Sequence, residues 1–216
     1  MAREEMAAYI DHTILKPEAG PADIDRVCDE ALSCGFAAVC VNSVWVSRVA
    51  KRLAGSPVRV CSVIGFPLGA MATEAKAAEA RQAVLDGASE LDMVINIGAL
   101  KSGDTDAVTR DIAAVRAAAP APVVLKVIIE TALLDDEEKR LACLAAGKTG
   151  ADFVKTSTGF AAGGATVADI ALMRKTVGPD MGVKASGGIR DFETALAMIR
   201  AGASRIGCGS SLALMA

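Results

Sequence analysis

The chain has one histidine, His12, among its 216 residues, and aromatic residues make up only 3%. A single imidazole excludes a zinc or iron centre built from two or three histidines of this chain. With so few rings the core has to be aliphatic, and a hydrophobic content of 52%, mostly Ala, Val, Leu and Ile, supplies it. Positive charge is not in excess either. A net charge of −3 gives no basic field for nucleic acid or for an anionic membrane. No apolar run approaches the roughly 18 uncharged residues of a spanning helix. The start, Met1-Ala2-Arg3-Glu4-Glu5-Met6, has no secretory hydrophobic region. Six cysteines (Cys28, Cys34, Cys40, Cys61, Cys143 and Cys208) form no Cys-x-x-Cys pair, so they read as free thiols of a reducing compartment. A cytoplasmic location is the resulting expectation.

What the sequence does have is alternation. Short apolar runs, many of them β-branched, are separated by segments rich in Ala and charge with helical spacing. Strands are expected at Tyr9–Ile14, Ala37–Val41, Val58–Ile64, Glu90–Asn96, Val123–Ile129, Asp152–Thr156, Gly182–Ala185 and Ser204–Gly207. Helices are expected at 22–34, 43–54, 72–86, 104–118, 135–147, 166–177 and 191–201, with a short one near Ser210. Glycines at 35, 87, 150 and 202 precede strands, where a left-handed helix cap would place them. Asp135 with Glu138, and Asp191, are helix-starting residues. Apolar strands alternating with helices imply a parallel sheet buried on both faces. The count of eight units favours a closed (β/α)8 TIM barrel over an open doubly wound sheet. No Gly-x-Gly-x-x-Gly turn follows the first strand, which weakens a dinucleotide-binding alternative. No linker or low-complexity tract divides the chain, so residues 1–216 read as one domain.

A parallel barrel places its site at the carboxyl ends of the strands. The polar residues there are Asp11, His12 and Thr13 on the first strand and Cys40 and Asn42 on the second. Asp92 and Asn96 follow on the fourth, and Lys126 and Glu130 on the fifth. The sixth offers Lys155, Thr156, Ser157 and Thr158, and the seventh Lys184 and Ser186. Asp92, Lys155 and Lys184 are ionised groups set into apolar strands, where each would cost several kcal/mol if unpaired. They are expected to meet in the lumen. One reading is a buried ion-pair network that sets strand register. The other is catalytic: burial and a neighbouring ammonium both disfavour charging a lysine, and together they would bring one from ~10.4 towards ~7–8. Its neutral amine would then attack a carbonyl as a Schiff-base nucleophile. Asp92 would carry protons through water while the carbinolamine forms and collapses. Such an aldolase needs neither a metal nor another cofactor.

Two glycine-bearing loops precede helices, Ser186-Gly187-Gly188-Ile189-Arg190 and Gly207-Cys208-Gly209-Ser210-Ser211. Bare backbone N–H groups at helix N-termini bind phosphate, and barrels often use these two loops for it.

Six stretches carry a resemblance. They are Ile10-Asp11-His12-Thr13-Ile14-Leu15-Lys16-Pro17, Gly65-Phe66-Pro67-Leu68-Gly69, Glu90-Leu91-Asp92-Met93-Val94, Leu125-Lys126-Val127-Ile128-Ile129-Glu130-Thr131, Phe153-Val154-Lys155-Thr156-Ser157-Thr158-Gly159 and Val183-Lys184-Ala185-Ser186-Gly187-Gly188-Ile189-Arg190. With them in this order the chain resembles the deoxyribose-phosphate aldolases along nearly its whole length. The resemblance implies a metal-free class I aldolase that reversibly cleaves 2-deoxy-D-ribose 5-phosphate to D-glyceraldehyde 3-phosphate and acetaldehyde. It assigns the Schiff base to Lys155, proton shuttling to Asp92 and the second lysine to Lys184. It also places phosphate at Gly159, Gly187, Gly188, Gly207 and Ser210, and the sugar-binding end of the pocket at Asp11, Thr13 and Thr158. This sequence departs in having Gly209 where relatives commonly carry serine. The sequence stops at Ala216, whereas some members extend into a tail ending in a tyrosine; for a chain that ends there, enamine protonation is expected to rest on Asp92, Lys184 and water. Cys40 reads either as a thiol that meets an aldehyde substrate or as a packed small residue.

The enzymatic rival is a sugar-phosphate isomerase or epimerase with Glu130 as base, which would want a glutamate–histidine pair or a metal cluster. The non-enzymatic rival is a phosphate-binding barrel that has lost catalysis. Exposed apolar positions on Ala-rich helices leave open whether the protein is a homodimer or a higher homo-oligomer.

Overall fold

Eight parallel strands close on themselves in sequence order in the computed structural model, which describes residues 2–216. The strands are β1 Ile10–Ile14, β2 Ala38–Val41, β3 Arg59–Ile64, β4 Glu90–Val94, β5 Val124–Ile128, β6 Phe153–Lys155, β7 Gly182–Ser186 and β8 Arg205–Cys208. β8 pairs back onto β1 through Ile10 and Ile206, Asp11 and Gly207, and His12 and Cys208. The expected (β/α)8 TIM barrel is therefore the observed architecture. The helices between strands are α2 Pro21–Cys34, α3 Val46–Arg52, α4 Thr73–Leu85, α6 Thr105–Ala118, α7 Asp136–Lys148, α8 Val167–Val177 and α9 Phe192–Arg200. α1 Arg3–Ala7, α5 Ile97–Lys101 and α10 Ser211–Met215 are single turns.

Side-chain alternation along the strands separates two interiors. Leu91 and Met93 of β4, Leu125 and Val127 of β5, Val154 of β6 and Val183 and Ala185 of β7 belong to the apolar layer under the helices. The residues between them turn inward. On the β2–β3 side these are small and apolar, with Ala38, Cys40, Cys61 and Val63 in one cluster beside Leu15. On the β4–β8 side they are ionised: Glu90, Asp92, Lys126, Lys155, Lys184 and Arg205. The barrel's filling is thus half hydrocarbon and half salt.

Local punctuation largely follows the sequence. Gly35 ends α2 in the left-handed region at φ 69°, and Asp135 caps α7 through a reciprocal box with Glu138. Two differences have clear causes. The fourth strand stops at Val94 rather than Asn96, because the Asn96 side chain accepts the Ala99 N–H at 3.0 Å and starts α5, a turn too short to show in the periodicity. The segment expected as a helix over 43–54 opens as a 3-10 turn, Ser43–Trp45, before α3 begins.

Candidate active site

Asp92 lies at the centre of the ionised half of the lumen. Its Oδ2 accepts from Lys155 Nζ at 2.7 Å and from Lys184 Nζ at 2.7 Å, and its Oδ1 from Lys126 Nζ at 2.8 Å. Sheet register brings these groups together: Asp92 is level with Lys126, and Lys155 with Lys184. Below them Lys184 also donates to Asp11, Arg205 donates to Asp11 Oδ1 at 2.7 Å, and Lys126 pairs with Glu90 Oε2 at 2.5 Å. The network therefore holds four cations and three carboxylates, all but Arg205 buried.

Sequence reasoning counted only two cations and one anion here, and the network is larger. Burial pushes the Lys184 ammonium down, yet the Asp11 and Asp92 carboxylates outweigh burial and hold it well above the usual lysine range. Lys126 behaves alike, with Asp92, Cys61, Asp11 and Glu90 opposing burial. Burial would raise Asp92, but Lys126, Lys155 and Lys184 together hold its carboxyl well below the ordinary range. Asp11 is also held low, burial being overcome by Lys184, Lys126 and Arg205. The second lysine is thus held as an ammonium, the charged neighbour of Lys155 that the sequence reading expected. Glu90 and Arg205 were missed, and Lys126, read as a polar residue of the fifth strand, was not counted among the lumen charges, although each shows the same signal as Asp92: a charge at the inward phase of an apolar strand.

Lys155 is the ammonium of this network that reaches open space. It lines a cavity of about 130 Å³ with Thr13, Leu15, Thr158, Gly159, Ser186, Gly187, Gly207, Cys208 and Gly209. Thr13, Thr158, Gly159 and Gly209 also border a wider outer pocket of about 550 Å³, which adds Ser210, Lys16 and Arg26. Thr158 is fixed from behind by Glu130, which accepts both its hydroxyl and its N–H. Glu130 itself is buried and takes a left-handed backbone, φ 57°, uncommon for a residue with a side chain. As a clamp on Thr158 it is engaged in positioning rather than set up as an isomerase base.

Of the residues expected at the site, Thr13, Lys155, Thr158, Gly159, Gly187 and Gly207 line the inner cavity, and Ser210 the outer one. Gly188 follows Gly187 in the same positive-φ backbone, 84° then 78°. Asp11, expected at the sugar-binding end, instead lies in the lumen, fully buried beneath Lys184. Cys40 is buried and packed with Ala38 and Cys61. His12 points out of the lumen, to Glu30 Oε2 at 2.6 Å and Ser211 Oγ at 2.8 Å. The two glycine loops also differ from each other. Asp191 already caps the N-terminus of α9 through Thr194 N at 2.8 Å, whereas Ser210 at the start of α10 makes no side-chain cap. The Gly187–Gly188 loop therefore presents its own amides, while the α9 terminus is already taken by its cap.

Comparison with known proteins agrees with this architecture. The family model of DeoC/LacD family aldolases matches residues 5–214. A deoxyribose-phosphate aldolase of Brevibacillus brevis is 62% identical over 210 residues, 97% of this chain and 95% of that protein. The crystal structure of a putative deoxyribose-phosphate aldolase from Coccidioides immitis superposes with TM-score 0.96 at 42% identity, covering 100% of this chain and 86% of the other. The tetrameric deoxyribose phosphate aldolase of Aeropyrum pernix gives TM-score 0.92 at 36% identity, over 99% and 91% of the two chains. This chain belongs to the DeoC/LacD family of aldolases, and it is a lyase.

Proposed function

We propose that the enzyme reversibly cleaves 2-deoxy-D-ribose 5-phosphate to D-glyceraldehyde 3-phosphate and acetaldehyde through a Schiff base on Lys155, residues 1–216 acting as one aldolase domain. The observation that carries this reading is the sharing of Asp92 Oδ2 between Lys155 and Lys184, each at 2.7 Å, with only Lys155 facing the cavity. Once Lys155 loses its proton to become an amine, Lys184 and Lys126 still stabilise the Asp92 carboxylate, so neutralising the nucleophile leaves no buried anion unpaired. Attack on the carbonyl gives a carbinolamine. Its hydroxyl leaves as water on taking back, through water held by Asp92, the proton that Lys155 gave up, while Lys184 keeps its charge. In the cleavage direction the hydroxyl on the departing carbon gives its proton to water held by Asp92, the imine accepts the electrons of the breaking C–C bond as an enamine, and D-glyceraldehyde 3-phosphate leaves. Protonation of the enamine and hydrolysis then release acetaldehyde.

The cavity order supports the substrate orientation. The reacting carbonyl sits at Lys155, the sugar hydroxyls face Thr13 and Thr158, and the phosphate reaches the amides of Gly159, Gly187 and Gly188 and the free hydroxyl of Ser210. Gly209 offers its N–H where a serine would add a hydroxyl. Assembly as a homo-oligomer and action in the cytoplasm belong to the same proposal. Among the described residues no helix is long and apolar enough to cross a membrane.

Borohydride trapping with acetaldehyde, followed by peptide mapping, tests the reading. An adduct on Lys155 that disappears in Lys155→Leu but remains trappable in the folded Lys184→Leu variant is expected. No adduct on any lysine of the folded wild type would overturn the Schiff-base mechanism.

A further inference from the structure

The apolar half of the lumen contains a feature that aldol chemistry does not use. Cys40 and Cys61 are level on the neighbouring strands β2 and β3, both fully buried and both facing inward. Cys61 Sγ donates to Asp92 Oδ1 at 3.2 Å and receives from Lys126 Nζ at 3.4 Å. The two sulfurs and a carboxylate oxygen of Asp92 all lie within 4.8 Å of one another. Ligands on a tetrahedral ion, with bonds of 2.0–2.3 Å, stand about 3.3–3.8 Å apart, so a small side-chain adjustment closes the triangle on a metal. Two sulfurs and one oxygen suit a borderline or soft ion rather than magnesium or calcium.

We propose that Cys40, Cys61 and Asp92 form a binding site for a thiophilic divalent cation of the zinc and cadmium type, and that its occupancy stops turnover. The exchange balances: the ion enters, the two thiol protons leave, and two metal–sulfur bonds form, so the lumen's charge is unchanged despite its four cations. The coordinated Asp92 oxygen is the one now held by Lys126. Binding therefore displaces Lys126 and draws the carboxylate's charge away from Lys155 and Lys184. A second trio, Asp11, Cys61 and Glu90, also lies within reach. It offers one sulfur, and both its carboxylates are engaged by Arg205. The inhibition rests on the catalytic reading of Asp92, whereas the binding does not.

Cadmium titrated into metal-free protein is expected to give the ultraviolet absorption of a cadmium–thiolate bond at one ion per chain, and turnover is lost in step with it. Magnesium produces neither effect. Cys40→Ser and Cys61→Ser each weaken cadmium affinity by ~10–100-fold or more, while Cys143→Ala, on the buried face of α7, does not. Anomalous scattering from a cadmium-soaked crystal locates the ion without any variant, and the peak is expected between the two sulfurs and Asp92. A peak elsewhere, or a thiolate band that survives Cys61→Ser in folded protein, overturns the site. Cadmium bound at these atoms with turnover intact overturns the inhibition. Borohydride trapping on Lys155 in metal-free protein reports on the aldolase mechanism separately.

Discussion

Lys76 in α4 and Lys155 in β6 are both sunk in the protein, and they are held in opposite ways. Lys76 has a partner of its own: its Nζ donates to Asp111 Oδ2 at 2.6 Å and to the Val94 carbonyl at 3.0 Å, and Thr73 Oγ1 occupies the other Asp111 oxygen at 2.9 Å. Its stem packs against Gly65, where an added Cβ would lie 3.0 Å from Lys76 Cε. This is a closed pair of one cation and one anion between α4, β4 and α6. Lys155 shares its carboxylate with two other ammonium groups and borders open space. Burial alone therefore does not separate the two lysines. What separates them is competition for a counter-ion and access to a cavity, the two features on which the proposed role of Lys155 rests.

Substitutions at the two positions should dissociate. Lys155→Leu is expected to reduce turnover by about 10⁴-fold or more. Its unfolding free energy should stay within ~1 kcal/mol of wild type, since the lumen loses only its excess cation. Lys76→Met should cost ~3–5 kcal/mol in denaturant unfolding, because Asp111 is left buried and unpaired. Turnover per folded molecule should be kept. Loss of turnover in folded Lys76→Met, or its retention in Lys155→Leu, would erase the distinction. Asp92→Asn comes next, and it should affect both properties. Turnover should fall ~10²–10⁴-fold with the loss of proton transfer, accompanied by a lowered melting temperature because three ammonium groups lose their shared anion. An Asp92→Asn enzyme with normal turnover would remove Asp92 from the mechanism.

The contrast also explains what could be read in advance. The barrel was legible because eight apolar runs at regular spacing admit few folds, and Lys155, Lys184 and Asp92 were legible because a charge in such a run has no surface to face. The same logic applied with period two would have found Glu90, Lys126 and Arg205. Lys76 had no such signal: it sits in Thr73-Glu74-Ala75-Lys76-Ala77-Ala78-Glu79, a segment polar on every side, and only packing of α4 against α6 buries it. The Asp11 partner of Lys184 was equally out of reach, because it lies 173 residues away in sequence. Asp11 was read as a pocket residue for the same reason.

The lumen should also govern acid stability. Asp11 and Asp92 are held well below the ordinary carboxylate range in the folded chain. Their folded affinity for protons is lower than their unfolded affinity, so stability rises with pH through this region. Their contribution is present above the unfolded value of ~3.9 and is lost as pH falls towards the folded values. Lys126 and Lys184 are raised instead, so their contribution holds below ~10.4 and is lost above it. Denaturant unfolding across pH should show an acid limb below about pH 4 that becomes shallower in Asp11→Asn. An identical limb in that variant would place acid sensitivity elsewhere, and the lumen would then resemble the closed Lys76 pair.

Gly207 gives the finest test of how tightly the open cluster is built. Family likeness assigns it to phosphate, but its geometry points first to Lys184. A Cβ at position 207 would stand 3.0 Å from Lys184 Cε and 3.0 Å from Ser186 Cβ, and the backbone there does not require positive φ. Gly207→Ala therefore acts through crowding alone and pushes the fixed ammonium by a few tenths of an ångström. Because Lys184 and Lys155 meet on a single oxygen, that displacement should appear in the chemical step. The expected result is a fall of about tenfold in kcat, consistent with the sensitivity of catalysis to sub-ångström placement. KM for the phosphorylated sugar should be little changed, with a stability cost of ~1–3 kcal/mol from overpacking. A raised KM with kcat preserved would mean that the glycine's bare amide serves the phosphate and that the lysine pair tolerates movement, as Lys76 in its closed pair would.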